Sequence, residues 1–220
     1  MSEPVDYFEN HRHKLRFPWS LYHRPIVAAL GAALGSSLGP DVLNVGSGPF
    51  LELTEVDATE RRISVCDIDA RAIEAARRLH GDKIVRADVI EPNAPLPYAG
   101  DSFDLVVSMD VIEHLPPEGL LPWLQELLRV LKPGGLLFLT TPNYASKGLV
   151  MLEQTALELI ARRQGFSRKS LHPSKLTPAV LGALLGQSGF TRCDLLPISF
   201  GWVLAAHARK PASSSDRQHA

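Results

Sequence analysis

The feature that most constrains the fold is a short apolar run that ends in two closely spaced glycines. Residues 42–50 read Val-Leu-Asn-Val-Gly-Ser-Gly-Pro-Phe, which predicts a buried strand followed at once by a sharp turn. Gly46 and Gly48 carry no Cβ and adopt positive φ readily, so the main chain there can lie directly against a ligand. A strand that leads into such a turn is typical of the ligand-binding edge of an α/β sheet.

The same turn argues against a dinucleotide site. The Gly-x-Gly-x-x-Gly fingerprint, started at Gly46, requires a third glycine at position 51, and the chain has Leu51. An NAD-dependent oxidoreductase is therefore disfavoured. Two glycines alone leave the ligand open.

Two of the strands predicted after this turn end in acidic residues. Residues 62–69 predict a second strand that ends in carboxylates, Asp67 and Asp69, and residues 83–89 predict a third short strand that ends in another acid, Asp88. These strand-ending acids are expected at one edge of the sheet, because the carboxyl ends of parallel strands lie together. A carboxylate there can accept hydrogen bonds from both hydroxyls of a ribose.

Helices and strands continue to alternate along the core. Apolar residues at helical spacing predict helices at 70–79 and 118–131, and Lys132-Pro-Gly-Gly ends the second. Residues 101–115 predict a fourth strand that leads into a loop, and residues 136–140 predict a fifth.

In this order the segments resemble the class I S-adenosylmethionine (SAM)-dependent methyltransferases. The resemblance is carried by "CDID" at 66–69, "ADV" at 87–89, "FDLVVSMDVIEHL" at 103–115 and "LKPGG" at 131–135, and it spans roughly residues 40–142. The nearest group is that of the quinone-biosynthesis methyltransferases, which act on small molecules. The resemblance implies an α/β fold with a doubly wound, seven-stranded, mostly parallel sheet of Rossmann-like type and an antiparallel last strand.

The resemblance also implies where the cofactor SAM would bind. The glycine turn would lie against its amino-acid part, Asp67 would hold the ribose hydroxyls and Asp88 would accept the adenine amino group. Ile68 and Val89 would cover the adenine ring. The full set of cofactor-binding residues implied in this way is Asn44, Gly46, Ser47, Gly48, Asp67, Ile68, Asp88, Val89, Ser108, Met109 and Asp110.

Two positions depart from the family pattern. The family usually has an acidic residue at the position of Asn44 and a glycine at that of Phe50. Asn44 can still accept a hydrogen bond, but it lacks the charge that would favour the ammonium group of SAM. A SAM-binding protein without transfer activity, a regulator or scaffold, is therefore kept as an alternative.

Two segments outside the core are expected to cover the site. Residues 1–38 form an N-terminal flap, in which residues 21–38 predict a helix. Residues 143–188 form an insertion after the fifth strand, with helices predicted at 149–163 and 177–187. Family members commonly use this insertion to shape the acceptor pocket.

The remaining residues complete one domain. Residues 190–196 and 200–209 predict the hairpin that closes the sheet, so that residues 1–210 form a single methyltransferase domain. Residues 211–220 are polar and are expected to be a disordered tail.

Basic residues are concentrated in the covering segments. Residues 11–25 and 161–175 contain histidine, lysine and arginine but no acidic residue. They would suit a carboxylate, a phosphate or a carrier protein that bears the substrate, whereas the alternative is an ordinary solvated surface. The residues expected to contact the acceptor are Trp19, Tyr22, His23, Asn143, Tyr144, Arg168 and His172.

His114 is the candidate catalytic base. It follows the fourth strand, where the methyl group is expected, and imidazole titrates near neutral pH. The alternative is that His114 packs in the loop, binds substrate or caps the helix that starts near Glu118. O-methylation is the preferred reaction and N-methylation the alternative, because a neutral amine needs less help from a base.

No metal is expected. Glu113 could orient His114 or bind a metal, but metal-dependent members of this superfamily carry further acids that are not found here, so Glu113 is assigned a surface role.

Composition narrows the classes of partner. The formal net charge of −1 argues against nucleic acid, and the lack of a long apolar span argues against membrane insertion and export. Cys66 and Cys193 have no metal or redox spacing, which indicates the reducing cytoplasm. The expected protein is a monomer or homodimer that acts on a small molecule in biosynthesis.

Overall fold

The computed structural model of this chain describes most of the predicted core. The residues described are 20–36, 39–49, 53, 56, 60–152, 155 and 172–212.

Seven strands form one sheet: β1 (Asp41–Val45), β2 (Arg62–Asp67), β3 (Ile84–Val89), β4 (Phe103–Met109), β5 (Leu131–Pro142), β6 (Thr191–Ile198) and β7 (Val203–Arg209). Their order across the sheet is β3-β2-β1-β4-β5-β7-β6. The pairs among β1 to β5 are parallel, whereas β7 is antiparallel to both of its neighbours. The doubly wound, seven-stranded sheet with an antiparallel last strand is confirmed.

The helices of the described residues are α1 (Ser20–Gly35), α2 (Ala70–His80), α3 (Pro117–Val130), α4 (Lys147–Leu152) and α5 (Pro178–Gln187). Capping side chains define two of the starts, since Asp69 accepts a hydrogen bond from the amide of Arg71 and Thr177 accepts one from Val180. None of these helices is long and apolar enough to cross a membrane.

Helices cover both faces of the sheet. On one face, Leu124 of α3 and Leu181 of α5 pack in a cluster with Leu137 of β5. On the other, Leu30 of α1 packs in a cluster with Phe138. Successive residues of β5 point to opposite faces, so one strand supports both cores. The carboxyl ends of the strands stay uncovered by this packing and meet at one edge.

The start of β5 differs from the sequence prediction. The strand begins at Leu131, directly after α3, and not at residue 136. Pairing with β4 jumps from Phe103↔Leu131 to Leu105↔Leu136, and Gly134 has a φ of 76°. Residues 132–135 therefore interrupt the pairing of β5 with β4, which resumes at Leu136. No local sequence pattern specifies that β4 pairs with the chain on both sides of this interruption.

The added segments are described in part. Helix α1 is the described part of the predicted flap; it packs on a face of the sheet and ends at Gly35, earlier than predicted. The Ser199 hydroxyl, at the carboxyl edge, donates a hydrogen bond of 2.6 Å to the carbonyl of Tyr22. Residues 1–19, 156–171 and 213–220 lie outside the described residues.

Both cysteines are free thiols. Cys66 is fully buried in β2, and burial raises the pKa of its thiol to about 12. A thiol in this state is not a nucleophile at neutral pH, which agrees with the lack of a redox motif.

Candidate functional site

A cavity of about 1140 Å³ opens at the carboxyl edge of the sheet. Its wall includes the turn after β1, the end of β2 and the loop after β4, and it extends along the first turns of α3. Of the predicted site residues, the wall contains Gly46, Ser47, Gly48, Asp67, Ile68, Met109, Asp110 and His114. The structure therefore brings together residues from three strand ends, as the order of the sequence segments predicted.

The glycine turn lies in this wall with its backbone exposed to the cavity. Gly46 and Gly48 have φ values of 68° and 50°. The amide of Gly46 donates a hydrogen bond of 2.8 Å to the carbonyl of Cys66, which fixes the turn on the end of β2. A Cβ added at Gly46 would overlap a methyl group of Val111, whereas one at Gly48 would meet no atom within 4 Å.

Asp67 ties the glycine turn to β2. One carboxylate oxygen accepts from the amide of Gly48 and the other from the amide of Asp69, each at 2.9 Å. A carboxylate offers about four lone-pair sites, so these two bonds leave capacity for a diol. The carboxylate of Asp67 is thereby oriented in the cavity wall by the backbone around it.

Asp88 occupies a different environment. Its carboxylate accepts a hydrogen bond of 2.8 Å from the Tyr98 hydroxyl and forms a 2.8 Å ion pair with Arg86. Asp88 and Val89 are not in the cavity wall, where Ile90 and Glu91 lie instead. The sequence predicted Asp88 at the edge of the sheet from the order of the strands. It did not predict the partners of the Asp88 carboxylate, which the tertiary structure shows.

The end of β4 turns sharply into the cavity. Asp110 has a φ of 54°, and its carboxylate accepts a 3.0 Å hydrogen bond from the hydroxyl of Thr140. Behind this turn, Asn44 and Ser108 are buried and do not reach the wall. The Oδ1 of Asn44 and the Oγ of Ser108 have no hydrogen-bond partner among the described residues.

Glu113, His114 and His172 form a cluster beside the cavity. One potential ligand atom from each lies within 4.8 Å of the others, so the described residues include one candidate cation-binding group. His114 is exposed in the wall, whereas Glu113 is only 1% exposed. The predicted surface role of Glu113 is therefore wrong, because the chain folds back over it at Ser174, whose amide donates to the Glu113 carbonyl.

His172 and Tyr144 are joined to each other. Their Nδ1 and hydroxyl oxygen are 2.7 Å apart, and His172 is buried. Neither residue is in the wall of the large cavity; Tyr144 lines a separate cavity of about 410 Å³ with residues of α4. The insertion thus contributes His172 to the cluster, on the side of His114 that faces away from the cavity.

Three other residues predicted to contact the acceptor, Tyr22, His23 and Asn143, lie apart from the cavity wall. Tyr22 and His23 are in α1, and His23 is buried. The amide group of Asn143 is engaged by the backbone, since its nitrogen donates to Gly201 and its oxygen accepts from Ala145. Trp19 and Arg168 lie outside the described residues.

Two stretches of the wall were not found from the sequence. One is the loop at residues 90–95, and the other consists of residues 115–126, where Trp123 faces the cavity although its stripe on α3 reads as core. Neither stretch carries a motif. They reach the cavity because the loop follows β3 and α3 starts beside the end of β4.

Among the described residues of the wall, the charged side chains are acidic. His114 adds an imidazole to them. Two of the acids are paired: the hydrogen bond from Arg71 lowers the pKa of Asp69, and that from Arg129 lowers the pKa of Glu126. A wall of this kind favours a ligand with positive charge. The acids are Asp67, Asp69, Glu91, Asp110, Glu118 and Glu126.

Comparison with known proteins assigns the fold to one family. Residues 43–139 match the methyltransferase domain family. A ubiquinone biosynthesis O-methyltransferase from Dinoroseobacter shibae is 31% identical over 198 residues, which cover 83% of this chain and 75% of that protein. A probable S-adenosylmethionine-dependent methyltransferase from Mycolicibacterium smegmatis is 29% identical over 168 residues, which cover 76% of this chain and 58% of that protein.

Solved structures support the same fold. A 1,6-didemethyltoxoflavin-N1-methyltransferase from Burkholderia thailandensis, solved with bound 1,6-didemethyltoxoflavin and S-adenosylhomocysteine, superposes with a TM-score of 0.62 at 19% identity. The match covers 96% of this chain and 93% of that chain.

The chain spans less than two thirds of the length of the relative from Mycolicibacterium smegmatis, so that relative contains regions without a counterpart here.

Proposed function

Because this chain belongs to the family of SAM-dependent methyltransferases, we propose that it transfers the methyl group of SAM to an oxygen of a small, anionic metabolite. The observation that carries the proposal is the cavity in which the glycine turn and Asp67 lie together at the carboxyl edge of the sheet. The fit to SAM is supported by the acidic wall, since SAM carries a sulfonium and an ammonium group.

The proposed cofactor contacts follow the wall. The amino-acid part of SAM lies along Gly46, Ser47 and Gly48, because these residues line the cavity and a Cβ at Gly48 would meet open space. The Asp67 carboxylate, oriented by two backbone amides, accepts the ribose hydroxyls. Ile68 covers one side of the adenine ring, and its 62% exposure makes the side chain accessible for this contact.

Other members of the predicted cofactor set have weaker support. Asp88 would have to accept the adenine amino group alongside Arg86 and Tyr98, and Val89 lies outside the wall. Met109 and Asp110 line the methionine side, with the buried Asn44 and Ser108 behind them. The Oδ1 of Asn44, which has no hydrogen-bond partner among the described residues, is an acceptor that remains available behind the wall.

Bound SAM supplies a methyl group that its sulfonium already activates. The task of the chain is therefore to align the acceptor with that group, since holding two reactants in line lowers the barrier by several kcal/mol. His114 lies in the same wall as the glycine turn. We assign His114 the role of general base. One of its imidazole nitrogens accepts the proton of the acceptor hydroxyl as the oxygen gains the methyl group.

The acceptor class is inferred from the covering segments. Residues 11–25 and 161–175 carry basic residues without acids. Of these basic residues the structure describes His23, Arg24, His172 and Lys175, and the ammonium group of Lys175 lies 5.7 Å from the ring centre of Tyr144. A carboxylated or phosphorylated acceptor, free or held by a carrier, would meet these charges. Oxygen is preferred over nitrogen because an imidazole faces the cavity. A cytoplasmic protein, monomeric or dimeric, stays a prediction.

Calorimetry tests the cofactor first. We expect SAM and S-adenosylhomocysteine to bind with one site per chain and NAD not to bind. Methyl-labelled SAM, incubated with a panel of hydroxylated and carboxylated metabolites, then tests transfer. Binding of SAM with no transfer to any acceptor would favour the second candidate, a SAM-binding regulator or scaffold, for which the uncharged Asn44 is the supporting observation.

A further inference from the structure

Glu113 is a carboxylate that is almost completely removed from water. Burying an ionised carboxylate costs several kcal/mol, even after relaxation of the protein, unless partners offset it. The Thr141 hydroxyl donates a hydrogen bond of 3.1 Å to Oε2, and a ring nitrogen from each of His114 and His172 lies within 4.8 Å of a carboxylate oxygen. Within this cluster, the groups that can offset the negative charge are the two imidazoles.

The two imidazoles have different positions relative to the cavity. His114 is exposed in the cavity wall, whereas His172 is buried and contacts Tyr144 through Nδ1. The two rings meet edge to face, with centroids 5.0 Å apart and an interplanar angle of 70°. One imidazole therefore faces a ligand, and the other supports it from behind.

Backbone hydrogen bonds hold the cluster in place. Ser174 donates through its amide to the carbonyl of Glu113 at 3.2 Å and through its hydroxyl to that of Leu115 at 2.6 Å. The amide of Tyr144 donates to the carbonyl of Leu176 at 2.9 Å. The loop after β4, the end of β5 and the segment before α5 are thus joined, which gives His114 a fixed surrounding of the kind a catalytic group requires.

We propose that Glu113 and His172 are positioning residues for His114. The Glu113 carboxylate keeps a proton on the inward edge of the His114 ring, so that the nitrogen on the cavity side is the unprotonated one. When the acceptor hydroxyl gives its proton to that nitrogen, the imidazolium formed lies beside a carboxylate, and the proton then leaves to water through the cavity. The inference rests on the proposed function, because it explains how the same site would remove the proton.

Burial distinguishes Glu113 from the other charged groups around His114. Asp110 at the end of β4 and Glu118 in the first turn of α3 line the same cavity and are exposed, and Lys175 lies beyond Tyr144. Water screens exposed charges, whereas a buried charge acts through a lower effective dielectric. The field of Glu113 on the imidazole is therefore expected to exceed that of Glu118, which makes Glu118 a matched control.

Nitrogen-15 NMR of the histidine rings in the untagged, full-length protein tests the proposal without an acceptor. In Glu113→Gln, a change of nearly equal size, we expect the titration midpoint of the His114 ring to fall by about one pH unit and its single tautomer to become a mixture. In Glu118→Gln we expect a shift of a few tenths of a unit, and Glu113→Asp should restore part of the wild-type behaviour. His172→Gln should also release the tautomer, and thermal melting checks that each variant is folded.

Two results would overturn the proposal. The first is an unchanged midpoint and tautomer of His114 in folded Glu113→Gln, or in folded His172→Gln if the former does not fold. The second is stoichiometric, micromolar binding of Co²⁺ or Zn²⁺ that broadens both histidine signals, since the cluster would then be a metal centre. SAM added to the same samples separates the two questions: absence of SAM binding removes the proposed function, whereas the histidine measurement still decides the role of Glu113.

Discussion

The two ends of the cavity are built in different ways. The end at β1 and β2 is formed by backbone groups, and its key side chain, Asp67, is held by amides that are at most 19 residues away in the chain. The end beyond β4 is formed by side chains. There His114 contacts His172, which is 58 residues away and belongs to the insertion.

This difference bears on how each end can change. A wall made of backbone atoms tolerates few residue types, since any Cβ at Gly46 meets Val111. A wall made of side chains from separate segments can be altered by one substitution without disturbing the sheet. We therefore expect substitutions at the first end to affect cofactor affinity and those at the second to affect turnover and the acceptor.

The largest expected effect separates the two ends in one variant. His114→Ala should lower the turnover rate by about 10²–10⁴ and leave SAM affinity within about twofold, because the imidazole acts on the acceptor proton. Turnover is measured with an acceptor from the metabolite panel and SAM affinity by calorimetry. His80→Ala, at the far end of α2, is the control. Near-normal turnover would make His114 a bystander and favour an amine acceptor.

The next largest effect tests the backbone wall. Gly46→Ala should weaken SAM binding by about 10²–10³, since positive φ and the overlap with Val111 together cost about 3–4 kcal/mol. Gly48→Ala carries only the strain of positive φ, so a loss of about tenfold is expected. Calorimetry and melting temperatures are compared for both variants. Equal losses at the two glycines would contradict the claim that close approach at Gly46 matters.

A smaller effect is expected for the side chain that supports this wall. Asp67→Ala removes two backbone hydrogen bonds and the ribose acceptor, which should weaken SAM binding by roughly 1.5–3 kcal/mol, or about ten- to a hundredfold. Glu74→Ala, an exposed acid on α2, controls for the loss of charge. Unchanged SAM affinity in Asp67→Ala would remove the ribose assignment.

The smallest effect is expected from the long-range attraction between basic residues and the acceptor, at the end of the cavity beyond β4. Replacing Arg168 and Lys169 together with glutamine should raise the KM of an anionic acceptor several-fold and leave SAM affinity unchanged, because the role proposed for these charges is to attract the acceptor. The wild-type KM should rise with salt as these charges are screened. Arg77→Gln with Arg78→Gln on α2 is the matched control. A KM that changes neither with salt nor in the double variant would show that these charges belong to a solvated surface.

Local patterns were sufficient for the elements that carry their own signal. The glycine turn, the acid at the end of β2 and the helices at 70–80 and 117–130 follow from residue type and spacing, because φ preference and the helical period are local properties. The doubly wound, seven-stranded arrangement and the antiparallel last strand came from the resemblance to a family and not from these patterns.

Several contacts that spacing along the chain did not specify involve partners from other segments. The environment of Asp88 depends on Tyr98, and the amide group of Asn143 is engaged by Gly201. Pairing with β4 decided where β5 begins. In each case a residue type was identified correctly, and its contacts were not, because spacing along the chain does not specify which groups meet across it.

The sequence by itself determined the family, the cofactor and the glycine turn after β1, because that turn is made of consecutive residues whose backbone geometry is set locally. Only the tertiary structure decided that Glu113 is buried and that His172 lies beside His114. The physical reason is burial: an acid at a loop is read as exposed until another segment covers it, and Ser174 in the covering segment follows Glu113 by 61 residues.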